Sequence, residues 1–93
     1  MIAVHLAPYL RRFAGGAAEV EVEHVPGGDV RAALAALFAH HPGLRDRVLT
    51  EPGEVRPHVN VFVGEESIRA GAGLATPLSD GAALWILAAV SGG

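Results

Sequence analysis

The sequence contains no cysteine. That removes disulfides, thiolate nucleophiles, Cys-ligated zinc and iron–sulfur clusters together. Lysine is missing as well, since all seven basic residues are arginine. Apart from its α-amino group the chain therefore offers no amine for Schiff-base or isopeptide chemistry. Positive charge is outweighed, 7 Arg against 10 Asp plus Glu, and no basic stripe runs along the chain. Neutralising a phosphate backbone needs such a stripe, so nucleic acid is not an expected partner. No apolar run approaches the length of a membrane span; the longest free of polar residues is "GAALWILAAV". The start, "MIAVHLAPYL", lacks the basic region and small-residue cleavage site of a signal peptide. A soluble cytoplasmic protein without a membrane partner is the expectation. Aromatics make up only 5%, and 17 residues of the 51% hydrophobic fraction are Ala, which buries little area. A chain of 93 residues supports one core with little surplus, so the large apolar side chains have to be well placed.

Their spacing supplies that placement. Ile2, Val4 and Leu6 alternate with Ala3 and His5, the period-2 mark of a strand. After a flexible "AGGAA", "EVEVEHV" alternates more strictly, with Glu19, Glu21 and Glu23 on one face and Val20, Val22 and His24 on the other. These two segments read as an antiparallel hairpin with a charged outer face. "PGGD" breaks the pattern and leaves Asp29 as an N-cap. Val30, Ala33, Leu34, Leu37 and Phe38 then form one helical stripe, which Pro42 should end near His40. "GLRDRVL" suggests a further helical turn, and "HVNVFVG" a strand with Val59, Val61 and Val63 on one face and Asn60 and Phe62 on the other. "GEES" reads as a turn, "SIRA" as a short edge strand, and "GAGLATPLSDGA" as a loop with a turn at Asp80-Gly81. Ala83 to Val90 is apolar throughout, the pattern of a central strand covered on both faces.

One helix with this strand order packs most simply as an α+β β-grasp fold: a mixed sheet of four to five strands with one main helix on one face. The last strand would lie beside the first and parallel to it. Residues 1–93 then form a single domain, with 88–93 as an extended C-terminal tail.

"VNVFVGEESIR" followed by "LATPLSDGAALWILAAVSGG" resembles the MoaD/ThiS family of ubiquitin-like sulfur carriers. The matching features are the strand Val59-Asn60 to Val63, the turn Leu78-Ser79-Asp80-Gly81, the apolar strand and the final Gly92-Gly93. The chain departs from the family pattern at Ala88 and Ala89, where many relatives have Pro, and at Ala82 and Ala83, where an acidic residue often follows the turn. The resemblance implies that a ubiquitin-activating-type adenylating enzyme activates the C-terminal carboxylate with ATP, and that sulfur then replaces one oxygen to give a thiocarboxylate at Gly93. No cofactor is bound by the carrier itself. Such chemistry suits the residues: an α-carboxyl with a pKa of roughly 3.3–3.7 is ionised at neutral pH, and Gly92 and Gly93 lack the Cβ that would obstruct a narrow cleft.

Within the family, the length, the "AGG" of the first connection and "GLATPLSDG" look most like carriers that feed cysteine biosynthesis. In those, a cysteine synthase accepts the sulfur and a metalloprotease can trim the tail. The small subunit of molybdopterin synthase, working with its large subunit, is the alternative. So is a ubiquitin-like modifier joined to target lysines, and so is an interaction module with an inert tail.

The five histidines do not form a metal site. His40 and His41 point about 100° apart on a helix, and His5, His24 and His58 lack an acidic partner at ligand spacing. The Glu ladder reads as a solubilising face, and no Ser-His-Asp set or phosphate loop is present, so the protein reads as a co-substrate of enzymes. If Leu84 and Ile86 face the helix, then Trp85, Leu87 and Phe62 share the opposite face of the sheet. With Val90, Ser91 and Gly92 they are the residues expected to contact partners.

Overall fold

A computed structural model describes residues 1–89. Five strands form one mixed sheet: β1 (Ile2–Leu6), β2 (Glu19–Val22), β3 (Val59–Val63), β4 (Glu66–Ser67) and β5 (Ala83–Ala88), in the order β2-β1-β5-β3-β4. Strand β5 runs parallel to β1 and antiparallel to β3, so the last strand occupies the centre. The outer pairs β1–β2 and β3–β4 are antiparallel. Helix α1 (Val30–His40) covers one face, and the short α2 (Arg45–Val48) follows it. This is the β-grasp architecture that the strand order predicts.

Strand register explains why the core closes. Val4 pairs with Val20 and Leu84, and Ile86 pairs with Leu6 and Val61. Every one of these side chains points to the helix side, where Val30, Leu34 and Leu37 meet them in a single apolar cluster. Asp29 starts α1 as predicted, its carboxylate accepting from the Ala32 N–H at 2.9 Å. Among the described residues no helix is long and apolar enough to cross a membrane.

Four local readings change. The first two strands are antiparallel, but the chain between them is not a plain flexible link: Pro8–Ala14 winds as a 3-10 helix that buries Leu10 and Ala14. Gly15 (φ 65°) and Gly16 (φ 86°) then reverse the chain in the left-handed region that favours glycine. Strand β2 ends at Val22, and His24 instead places a ring nitrogen 2.9 Å from the Leu78 carbonyl. The edge strand is Glu66–Ser67, not residues 67–70; Ile68–Ala70 turns as a 3-10 helix that sends Ile68 into the core. Finally, β5 is not covered on both faces, because Trp85 keeps 39% of its surface exposed. One main helix cannot shield two faces of a sheet.

Candidate functional site

The centre of interest is where β5 leaves the sheet. Backbone bonds hold the strand on both sides to its end: the Ala7 N–H donates to Ile86 O at 2.9 Å, and the Ala89 N–H donates to His58 O at 2.7 Å. Ala88 still pairs with Val59. The chain is thus fixed as far as Ala89, between the C-terminal end of β1 and the first residue of β3. Val90, Ser91, Gly92 and Gly93, the predicted reactive and partner-contacting tail, lie outside the described residues.

The other predicted partner-contacting residues are all described. Strand parity puts Trp85 and Leu87 on the face away from α1, and Leu84 and Ile86, both fully buried, on the core side. Phe62 stands directly opposite Trp85 in the antiparallel β3–β5 pair, while Leu87 stands opposite Asn60. The structure therefore brings Phe62 and Trp85 side by side, with Leu87 two residues further towards the strand end. Phe62 and Leu87 are half-buried.

Two further residues belong to this face, one read from the sequence as a histidine without an acidic partner and the other as part of a solubilising Glu ladder. His5, paired in parallel register with Trp85, stacks on its ring with centroids 3.8 Å apart and planes 11° off parallel. Beyond His5 lies Glu19, whose Oε1 is 3.4 Å from His5 Nδ1. One row, Glu19, His5, Trp85, Phe62 and Ser67, thus crosses all five strands. Its centre is aromatic and its ends are polar, the composition of a protein-docking strip with a wet rim. The out-of-phase position of His5 in "IAVHL" was the available signal. Its partner became visible only with the register.

On the same face Asn60 Oδ1 accepts from Arg69 Nη1 at 2.6 Å, and Arg69 Nη2 donates to Arg56 O at 2.8 Å, bracing the start of β3. At the opposite end of β5, Asp80 receives a hydrogen bond from the Met1 ammonium, and the Gly81 N–H donates to Met1 O at 3.0 Å. Gly81 needs its positive φ of 88° for that turn. Among the described residues no group of three His, Asp or Glu side chains is placed to hold a metal ion, and no nucleophile–base pair stands on the exposed face. What this site offers chemically is an oriented strand end beside an aromatic surface.

The sequence profile of the ThiS family matches residues 4–93. The chain belongs to the ThiS family. Similarity to individual ThiS-like proteins runs along its whole length. The sulfur carrier protein CysO of Mycobacterium tuberculosis is 33% identical over 94 residues, which cover 99% of this chain and 98% of that one. The crystal structure of the Amycolatopsis orientalis BexX/CysO complex contains a chain that superposes with a TM-score of 0.87 at 31% identity, with 100% of both chains covered. Small archaeal modifier protein 1 of Haloferax volcanii superposes with a TM-score of 0.83 at 30% identity, covering 96% of this chain and 97% of that one. The ubiquitin-like β-grasp fold of this ThiS-family chain is therefore shared with proteins whose names include both a sulfur carrier and a protein modifier.

Proposed function

We propose that this ThiS-family chain is a sulfur carrier that works as a protein co-substrate. A ubiquitin-activating-type enzyme would couple the Gly93 carboxylate to AMP from ATP, releasing pyrophosphate. A sulfur nucleophile would then displace AMP and leave a thiocarboxylate on Gly93. That thiocarboxylate would donate sulfur in a cytoplasmic biosynthetic pathway, with cysteine biosynthesis the leading route and a cysteine synthase the acceptor. The observation carrying this reading is full-length similarity to the sulfur carrier protein CysO. The geometry supports it: backbone bonds hold the chain as far as Ala89, and Gly92-Gly93 has no Cβ to obstruct entry to a narrow active site. Trp85, Phe62 and Leu87 would supply the docking face, with Val90, Ser91 and Gly92 following into the partner.

The test is direct. Incubation with the adenylating enzyme, ATP and a sulfide donor should change the intact mass by the difference between sulfur and oxygen, localised to Gly93. Deleting Gly93, or adding a residue after it, should abolish the change. Thiolation of the extended chain without prior trimming by a metalloprotease would refute the mechanism.

A second reading, a modifier joined to lysines of other proteins, is favoured by the likeness to a small archaeal modifier protein. Mass spectrometry of cell lysates separates the two. A carrier is found free or as the thiocarboxylate, whereas a modifier leaves target lysines bearing its C-terminal fragment, residues 70–93 after tryptic cleavage at Arg69, and these vanish when its gene is deleted.

A further inference from the structure

The same end of the sheet carries a second surface, with a different chemistry from the aromatic face. The 3-10 helix after β1, helix α2 and the segment before β3 enclose an open cleft lined by Tyr9, Arg12, Phe13, Arg47, Arg56 and His58. Three of the seven arginines of a chain with net charge −3 meet there. Both Arg12 and Arg47 lie over the Phe13 ring, their guanidinium carbons 4.8 and 4.6 Å from its centroid. Sharing one ring, the two cations are separated by no more than the sum of those distances, comparable with the Debye length of about 8 Å at physiological salt. Among the described residues neither guanidinium makes a hydrogen bond or ion pair. The acidic residue lining the cleft does not neutralise them: the Asp46 carboxylate is 3.1 Å from Arg45, and its backbone carbonyl accepts from Arg56 Nε at 2.6 Å.

Two exposed like charges placed together weaken a fold slightly and do nothing for its core. Stacking on Phe13 restricts both side chains before any partner arrives, which lowers the ordering cost of binding. Planar guanidinium forks match carboxylates in bidentate geometry. Position names the partner. Ala7, next to the cleft's Pro8, is bonded to Ile86 O, and His58 O holds Ala89, so the cleft flanks the point where β5 leaves the sheet. An enzyme that takes residues beyond Ala89 into its active site must also pass over this flank.

We propose that the Arg12–Phe13–Arg47 cleft is a docking site for an acidic, Asp- or Glu-bearing segment of the adenylating enzyme, separate from the aromatic face. The proposal rests on the sulfur-carrier reading for the identity of the partner. A nucleic acid is disfavoured as occupant, because three arginines on a net-acidic chain neutralise too few phosphates.

The test compares wild type, R12E/R47E and R12K/R47K in ATP–pyrophosphate exchange with the purified adenylating enzyme. For R12E/R47E the KM for the carrier should rise about tenfold or more while kcat and the melting temperature hold, since complementary charge governs encounter. R12K/R47K should fall between the two, because it keeps the charge that steers encounter but loses the bidentate forks and the stacking on Phe13. Raising salt to about 0.3 M should raise the wild-type KM and leave that of R12E/R47E nearly flat. An unchanged KM for R12E/R47E, or a salt-insensitive wild type, overturns the proposal. A parallel NMR titration of the labelled chain uses a ten-residue Asp/Glu peptide and a single-stranded oligonucleotide of equal charge. Peptide shifts confined to the cleft and lost in R12E/R47E are expected; stronger binding of the oligonucleotide overturns the acidic-protein assignment. Cleft shifts with no exchange activity in wild type would instead overturn the carrier reading, and with it the named partner.

Discussion

His5 lies flat against Trp85, ring centroids 3.8 Å apart, across the parallel seam between β1 and β5. Phe62 stands on the other side of the same indole. An exposed tryptophan is thereby held in one orientation by the histidine stacked on it from the adjacent strand. Aromatic pairs contribute about 0.5–1.5 kcal/mol beyond the area they bury, and here that energy fixes a surface side chain.

That relationship predicts a spectroscopic result. Trp85 is the sole tryptophan, so its fluorescence reports the stack alone. His5→Ala should shift the emission to longer wavelength and raise its anisotropy decay rate, while the melting temperature falls by only a few degrees. Binding to the adenylating enzyme should weaken at the same time. Unchanged emission in His5→Ala would mean the ring contact does not persist in solution.

Adjacent residues of β5 should behave oppositely. Ile86 is fully buried between Leu6 and Val61, so Ile86→Ala should cost about 2–5 kcal/mol, a large share of a small domain's stability. Trp85→Ala leaves the core intact; its loss should appear as about 2 kcal/mol or more of partner affinity. Chemical denaturation and the adenylation rate, measured on both variants, separate these outcomes. A Trp85 variant that unfolds while Ile86→Ala stays folded would reverse the assignment of faces.

The start of α1 gives a third expectation. Asp29 caps the helix through Ala32, and its backbone also bridges Pro77 of the loop preceding β5. Asp29→Ala should cost about 0.5–2 kcal/mol, and Asp29→Ser or Asp29→Asn should restore most of it, because the cap needs only a side-chain acceptor. Urea titration with unchanged m-values across the series is the check.

Much of this was readable along the chain where the physical signal is local. Alternation in "IAVHL", "EVEV" and "VNVFV" marks strands because side chains alternate across a pleat, and the Asp29 cap with the Val30 to Phe38 stripe marks α1 within one residue. The faces of β5 followed from parity once Leu84 and Ile86 were assigned inward. Pro8–Ala14 escaped because a 3-10 turn that buries only Leu10 and Ala14 leaves no repeating stripe. In the second half, Ile68 looked like a strand residue because a buried turn and a short strand expose the same apolar pattern. The His5–Trp85 stack and the arginine cleft escaped for another reason. Their members lie on separate segments of the chain, and only the folded register brings them together.

Acid should reveal the contact that anchors the other end of β5. The Asp80 carboxyl is held below the usual carboxylate range, chiefly by the hydrogen bond from the Met1 ammonium and then by that group's charge, with weaker help from His24 and the Gly81 N–H. Unfolding separates these groups and returns Asp80 to an ordinary value near 3.9, the reference for an aspartate. A carboxyl with a lower pKa in the folded state binds fewer protons there than when unfolded. Its stabilising contribution is therefore fully present above the unfolded pKa and disappears as pH falls through the folded one. Wild type should melt above Asp80→Asn by a constant margin from pH 7 to about pH 5, and the two curves should converge as pH drops below about 4. Because Asp80 is fully solvent-exposed, the margin should be small and should shrink further in about 1 M salt, where charges a few ångströms apart are screened. Calorimetry at closely spaced pH values resolves the convergence. Curves that stay parallel into strong acid would show that the Met1–Asp80 pair gives the folded state no proton-linked stability.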